Sequence, residues 1–145
     1  MKRIILLSVG LMMMTTAVFA GNDKPIAVDQ LPGAAKQFIG KYFSNVKVSY
    51  AKMERDMFGK SYEVVFTNGS KVEFDGKGEW TDVNCKYTQV PDEIIPQKIK
   101  EYIAANFAGA KILEIDRDSR DYEVKLNNGL ELTFNLKFKL IDIDD

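Results

Sequence analysis

Carboxylates crowd two places in this 145-residue chain: Asp116 with Asp118, and Asp142 with Asp144 and Asp145. Residues spaced by two point to the same side of an extended strand, and clustered carboxylate oxygens suit a hard cation such as calcium. Asp116, Asp118, Asp142 and Asp144 are therefore the candidate metal ligands. None of these stretches has the spacing of a calcium-binding loop. Asp75-Gly76-Lys77-Gly78-Glu79 places a lysine where a ligand should stand. Other chemistries are missing at the level of residue type. The chain has no histidine, which removes Ser-His-Asp and Cys-His catalysis and the usual zinc sites. Its single cysteine, Cys85, can form neither an internal disulfide nor a thiolate cluster, and is expected to be a small buried hydrophobe. No glycine-rich loop joins a strand to a helix, so a phosphate-cradling site is not expected. The residues predict a protein that is not an enzyme.

The elements that would position these groups come in two similar sets. Leu31 to Val48 reads LPGAAKQFIGKYFSNVKV, and Ile95 to Ile112 reads IPQKIKEYIAANFAGAKI. Ser61 to Trp80 and Asp121 to Leu140 correspond in the same way, with Tyr62-Glu63-Val64 facing Tyr122-Glu123-Val124 and Asn68-Gly69 facing Asn128-Gly129. The matches run in order, as an internal duplication would make them, with repeats of about 28–87 and 88–145. In each, a proline suited to a first helical turn (Pro32, Pro96) opens an amphipathic helix. Strands with alternating apolar residues follow, turned by Asn-Gly. After Trp80, and again after Leu140, the apolar parity switches, which predicts a bulge or strong twist. Four antiparallel strands per repeat leave one apolar face uncovered. Two repeats side by side, helices on one face, would bury it. The expected fold is α+β, one eight-stranded antiparallel sheet.

The other sheet face should carry Glu63, Lys71, Glu73, Lys125, Glu131 and Thr133, a charged surface on which a partner protein could dock. A second candidate is the longer hairpin at 53–60, with Met57 and Phe58 at its tip; exposed apolar residues on a loop can anchor a partner.

Lys2 and Arg3, the apolar run from Ile4 to Phe19 and the close at Ala20 have the make-up of a secretory signal peptide over residues 1–20. The run is shorter than a membrane-spanning helix needs, so export to the periplasm or beyond is expected, with no stable membrane insertion after cleavage. Removing Lys2 and Arg3 leaves 18 of the 20 basic residues against 21 acidic ones. The charges are interspersed, with no basic stripe for nucleic acid.

The patterns LP-x-x-A-x-x-FI-x-KYF (Leu31 to Phe43) and YEV-x-F-x-NG-x-x-x-x-FD-x-x-G-x-W (Tyr62 to Trp80) resemble the PepSY-like proteins of Bacteroides-type periplasms. That family is similar in fold to the β-lactamase inhibitor protein. The resemblance covers essentially all of the chain after residue 20. It implies a periplasmic binding or inhibitor-like role, without catalytic residues. Two readings follow: a protein that docks an unidentified periplasmic partner through the sheet face and the 53–60 hairpin, or a sensor of a small ligand or of calcium.

Overall fold

The computed structural model describes residues 23–145; the expected signal peptide, 1–20, lies outside the described residues. The elements run β1 (Lys24–Ile26), α1 (Gly33–Tyr42), β2 (Val48–Asp56), β3 (Gly59–Phe66), β4 (Lys71–Asp75), β5 (Trp80–Asn84), α2 (Gln97–Asn106), β6 (Ile112–Arg117), β7 (Asp121–Leu126), β8 (Glu131–Asn135) and β9 (Leu140–Asp144). The strands form one antiparallel sheet in chain order, nine strands rather than the eight expected. The additional strand is β1, which pairs with β2 through Lys24↔Met53, Pro25↔Lys52 and Ile26↔Ala51. Three residues are too few to show an alternation. Pro25 is tolerated there because an edge strand can spare a ladder hydrogen bond.

Each helix precedes four strands. Pro32 and Pro96 stand one position earlier than expected, in extended backbone at the N-caps, with the helices beginning at Gly33 and Gln97. The Asn-Gly turns also differ from a hairpin with two positive φ angles. Gly69 and Gly129 have φ of 91° and 92°, but Phe138 is the one non-glycine residue described with positive φ. Asn68 instead accepts the Ser70 N–H at 2.9 Å, and Asn128 accepts that of Leu130 at 3.0 Å. A Cβ at Gly69 would lie 2.7 Å from the Tyr87 ring, so both backbone and space require glycine there. The bulges expected after Trp80 and Leu140 are present as register shifts between Glu73 and Phe74 and between Thr133 and Phe134.

The register aligns one apolar row across the whole sheet: Ile26, Ala51, Val64, Val72, Val83, Ile115, Val124, Leu132 and Ile143. Both helices cover this face. Ala35 and Ile39 of α1 and Ile99 and Ile103 of α2 join one core with the row. Phe38 meets Phe74 edge-on at 5.6 Å, and Tyr102 meets Phe134 in the same way at 5.5 Å. Such pairs contribute about 0.5–1.5 kcal/mol beyond their area. Cys85 is buried in this core, and burial pushes its thiol pKa up, which makes it inert.

Candidate functional site

Because side chains alternate along a strand, the residues between the apolar ones form rows on the opposite face. One row reads Lys52, Glu63, Glu73, Asp82, Asp116, Glu123, Thr133 and Asp142. The next reads Tyr50, Val65, Lys71, Asn84, Glu114, Lys125, Glu131 and Asp144. The first row sets five carboxylates on five successive strands, β3 to β7. Like charges directly opposite destabilise a sheet, so this arrangement calls for compensation.

Near one end, lysines supply it. Lys52 lies 2.9 Å from Asp23 and 3.5 Å from Glu63. Burial alone would lower its pKa, but these carboxylates raise it. Lys71 reaches Glu73 at 3.6 Å, and its pKa is likewise raised, by Glu73, Glu63, Asp82 and Glu114 against the effect of burial. Glu73 is still pushed up, first by burial and then by Glu63 and Glu114.

The β5–β6 seam is different. Oxygens of Asp82, Glu114 and Asp116 lie within 4.8 Å of one another, the one such group of three or more metal-ligating side chains among the described residues. Asp82 Oδ1 is buried without a hydrogen-bond partner. The Asp82 pKa is pushed up to about 10, first by burial and then by the carboxylates of Glu114, which also hydrogen-bonds to it, Glu73 and Asp116. Lys125 reaches Glu114 only at 3.8 Å, across an exposed position. The nearby Arg117 is engaged elsewhere: its guanidinium lies 3.8 Å from the Trp80 ring centroid, and its Nε donates to the Trp80 carbonyl at 2.9 Å. Beside the seam runs an open groove of about 200 Å³ lined by Glu73, Thr81, Asp82, Asp116, Arg117, Asp118 and Asp121. A hard cation with six to eight oxygen ligands fits this donor set, which supplies carboxylates on one side and leaves room for water on the other.

Of the four expected metal ligands, Asp116 belongs to this cluster and Asp118 lines its groove. Asp118 has a local task as well. Its Oδ1 accepts the Arg120 and Asp121 N–H groups at 2.8 and 3.1 Å, and Arg120 adds an ion pair at 3.2 Å. Burial would raise its pKa, but these contacts hold it below the usual range. Asp142 and Asp144 lie on β9, three strands beyond β6, and do not join the cluster. Sequence reasoning passed over Asp82 and Glu114. The one available signal was that Asp82 aligns with Asp142, which had been singled out.

Glu63, Lys71, Glu73, Lys125 and Glu131 fall on the open face as their alternation predicts. Met57 and Phe58 occupy the tip of the β2–β3 hairpin, 88% and 90% exposed. A separate groove of about 290 Å³ lies beside α2, lined by Ile95, Ile103, Phe107 and Ile112 with Lys100 and Lys111. No helix among the described residues is long and apolar enough to cross a membrane.

A meander sheet with both helices on one face and an open acidic face defines a class of small α+β domain. The family model described as "Putative beta-lactamase-inhibitor-like, PepSY-like" matches residues 60–142, and the chain belongs to that family. Three solved structures share the fold over most of its length. A "putative periplasmic protein from DUF2874 family" from Bacteroides vulgatus is 56% identical, with a TM-score of 0.85 over 88% of this chain and 100% of that one. A "putative calcium-regulated periplasmic protein" from Bacteroides thetaiotaomicron is 59% identical, with a TM-score of 0.83 over 85% of this chain and 97% of that one. A "putative periplasmic protein of unknown function", also from Bacteroides vulgatus, is 42% identical, with a TM-score of 0.81 over 85% and 99%. A comparison with curated proteins finds no match. The relatives are periplasmic proteins, and so is this chain.

Proposed function

We propose that this chain is a non-catalytic periplasmic binding protein that responds to calcium through the β5–β6 seam. The observation that carries the reading is the buried Asp82 Oδ1, without a hydrogen-bond partner, beside the carboxylates of Glu114 and Asp116. A buried oxygen without a partner costs about 1–3 kcal/mol, more when charged, and a bound cation would remove that cost. Asp82, Glu114 and Asp116 would hold the ion, with Glu73 and water completing its shell. The 59% identical relative described as calcium-regulated supports the choice of ion. Melting curves in calcium, magnesium and chelator test it. Calcium at 100 times its dissociation constant should add about 2.7 kcal/mol, and equal melting temperatures in calcium and chelator would end the reading.

A second reading is partner docking through the sheet face and the 53–60 hairpin. The nearly complete exposure of Met57 and Phe58 favours it, because apolar side chains held in water at a loop tip gain by burial against another protein. The two readings are compatible, since an ion on the open face would change the charge that a partner meets.

A further inference from the structure

The central apolar row reaches both edges of the sheet, and the edges are finished differently. At one edge Ile26 sits on β1, a three-residue strand bearing Lys24 and Pro25. Short strands, lysine and proline are the devices that discourage further strand pairing. At the other edge the row ends at Ile143 on β9, 47% exposed, with Ile141 at 57%. β9 is five residues long, and neither lysine nor proline lies within it.

The molecule itself shows how such a strand looks when it is covered. β5 has the same place after α1 as β9 has after α2, and the same register to its inner neighbour. Val72↔Val83, Glu73↔Asp82 and Phe74↔Trp80 correspond to Leu132↔Ile143, Thr133↔Asp142 and Phe134↔Leu140. The outer edge of β5 takes β6, with Val83 opposite Ile115 and the flanking residues Asp82 and Asn84 opposite Asp116 and Glu114. Val83 is then fully buried.

We propose that the outer edge of β9 docks an extended segment of a partner protein as a tenth antiparallel strand. The segment would place an apolar residue opposite Ile143 and basic residues opposite Asp142 and Asp144. Backbone hydrogen bonds along the edge supply affinity, and the alternating side chains supply selectivity. The apolar residue completes the row that stops at Ile143. Charge complementarity selects the basic flanks, because opposite charges directly across a sheet stabilise and like charges destabilise it. The same rule disfavours a second copy of β9, which would set aspartates against aspartates. This site does not depend on the calcium proposed for the β5–β6 seam.

The test is a titration of the ¹⁵N-labelled protein with two blocked peptides, acetyl-Thr-Lys-Val-Lys-Thr-amide and its counterpart with glutamates for lysines. Reversing two cross-strand charge pairs predicts roughly tenfold tighter binding of the lysine peptide. Shift changes and slowed amide exchange should centre on β9, and Ile143→Lys should weaken binding by a similar factor. Ile143→Val, which keeps the apolar surface, should retain binding and guards against a loss of fold in the lysine variant. Equal affinities for the two peptides, perturbation centred away from β9, or sedimentation as a dimer that Ile143→Lys dissolves would overturn the proposal.

Discussion

Asp82→Asn keeps the shape of the Asp82 side chain and removes its ability to ionise. In an unfolded chain an aspartate has a pKa of about 3.9, whereas burial and the neighbouring carboxylates push Asp82 to about 10 in the fold. A raised acid pKa means that the folded state holds the proton more tightly. The associated stability is complete below about pH 3.9 and declines as pH rises through the folded value. At pH 7.5 the pH has passed the unfolded pKa by about 3.6 units, and at about 1.36 kcal/mol per unit the ceiling on the penalty is about 5 kcal/mol. Sharing of the proton with Glu114 and relaxation around the seam reduce the realised value, and about 1–3 kcal/mol is expected. The asparagine has no such penalty and can still donate to Glu114. In chelator at pH 7.5 the variant should therefore melt several degrees above the parent, because 1 kcal/mol shifts the midpoint of a domain this size by roughly 3–5 °C. The same substitution removes an anionic ligand, so the calcium-induced rise should largely vanish. Differential scanning calorimetry of both proteins, in calcium and in chelator, reads both effects. A variant that melts below the parent in chelator and keeps the full calcium shift would refute the account of the seam.

Glu114→Gln and Asp116→Asn should each weaken calcium binding by about tenfold or more in titration calorimetry, whereas Asp142→Asn, on β9, should leave it within about twofold. In chelator the melting temperature of the parent should fall between pH 5 and pH 8 more steeply than that of Asp82→Asn, as measured by circular dichroism. Phe74→Ala, at a fully buried position packed edge-on against Phe38, should cost about 3–5 kcal/mol in urea denaturation. Met57→Ser with Phe58→Ser should change stability by less than about 0.5 kcal/mol, as expected for exposed positions, while reducing capture of any partner that uses the hairpin.

The parts legible in the sequence are those decided by local periodicity. Helical spacing marks the faces of α1 and α2, alternation separates Val64, Val72, Val124 and Leu132 from Glu63, Glu73, Glu123 and Thr133, and Asn-Gly marks two turns. The parity switches after Trp80 and Leu140 foretell the bulges, because an extra residue must reverse the inward side. β1 was not legible, since three residues with a proline carry no period. The carboxylate cluster at the β5–β6 seam was not legible either. Asp116 and Asp118 drew attention because they are close in the chain, but Asp118 is absorbed by its own turn. The carboxylates that meet Asp116 are Glu114, next but one along β6, and Asp82, which arrives from β5 only when α2 has turned the chain back.

By itself, then, the sequence determined which residues face the core, which face water and which chemistries lack their side chains, because each of these depends on residue type and near-neighbour spacing. Tertiary structure alone decided the register at the join of the two repeats, where β5 and β6 oppose Asp82 to Asp116. It also decided that Val83 is covered while Ile143 ends the sheet. Both outcomes depend on which strand lies beside which, and strand order is set by burial of the shared apolar face rather than by any local pattern.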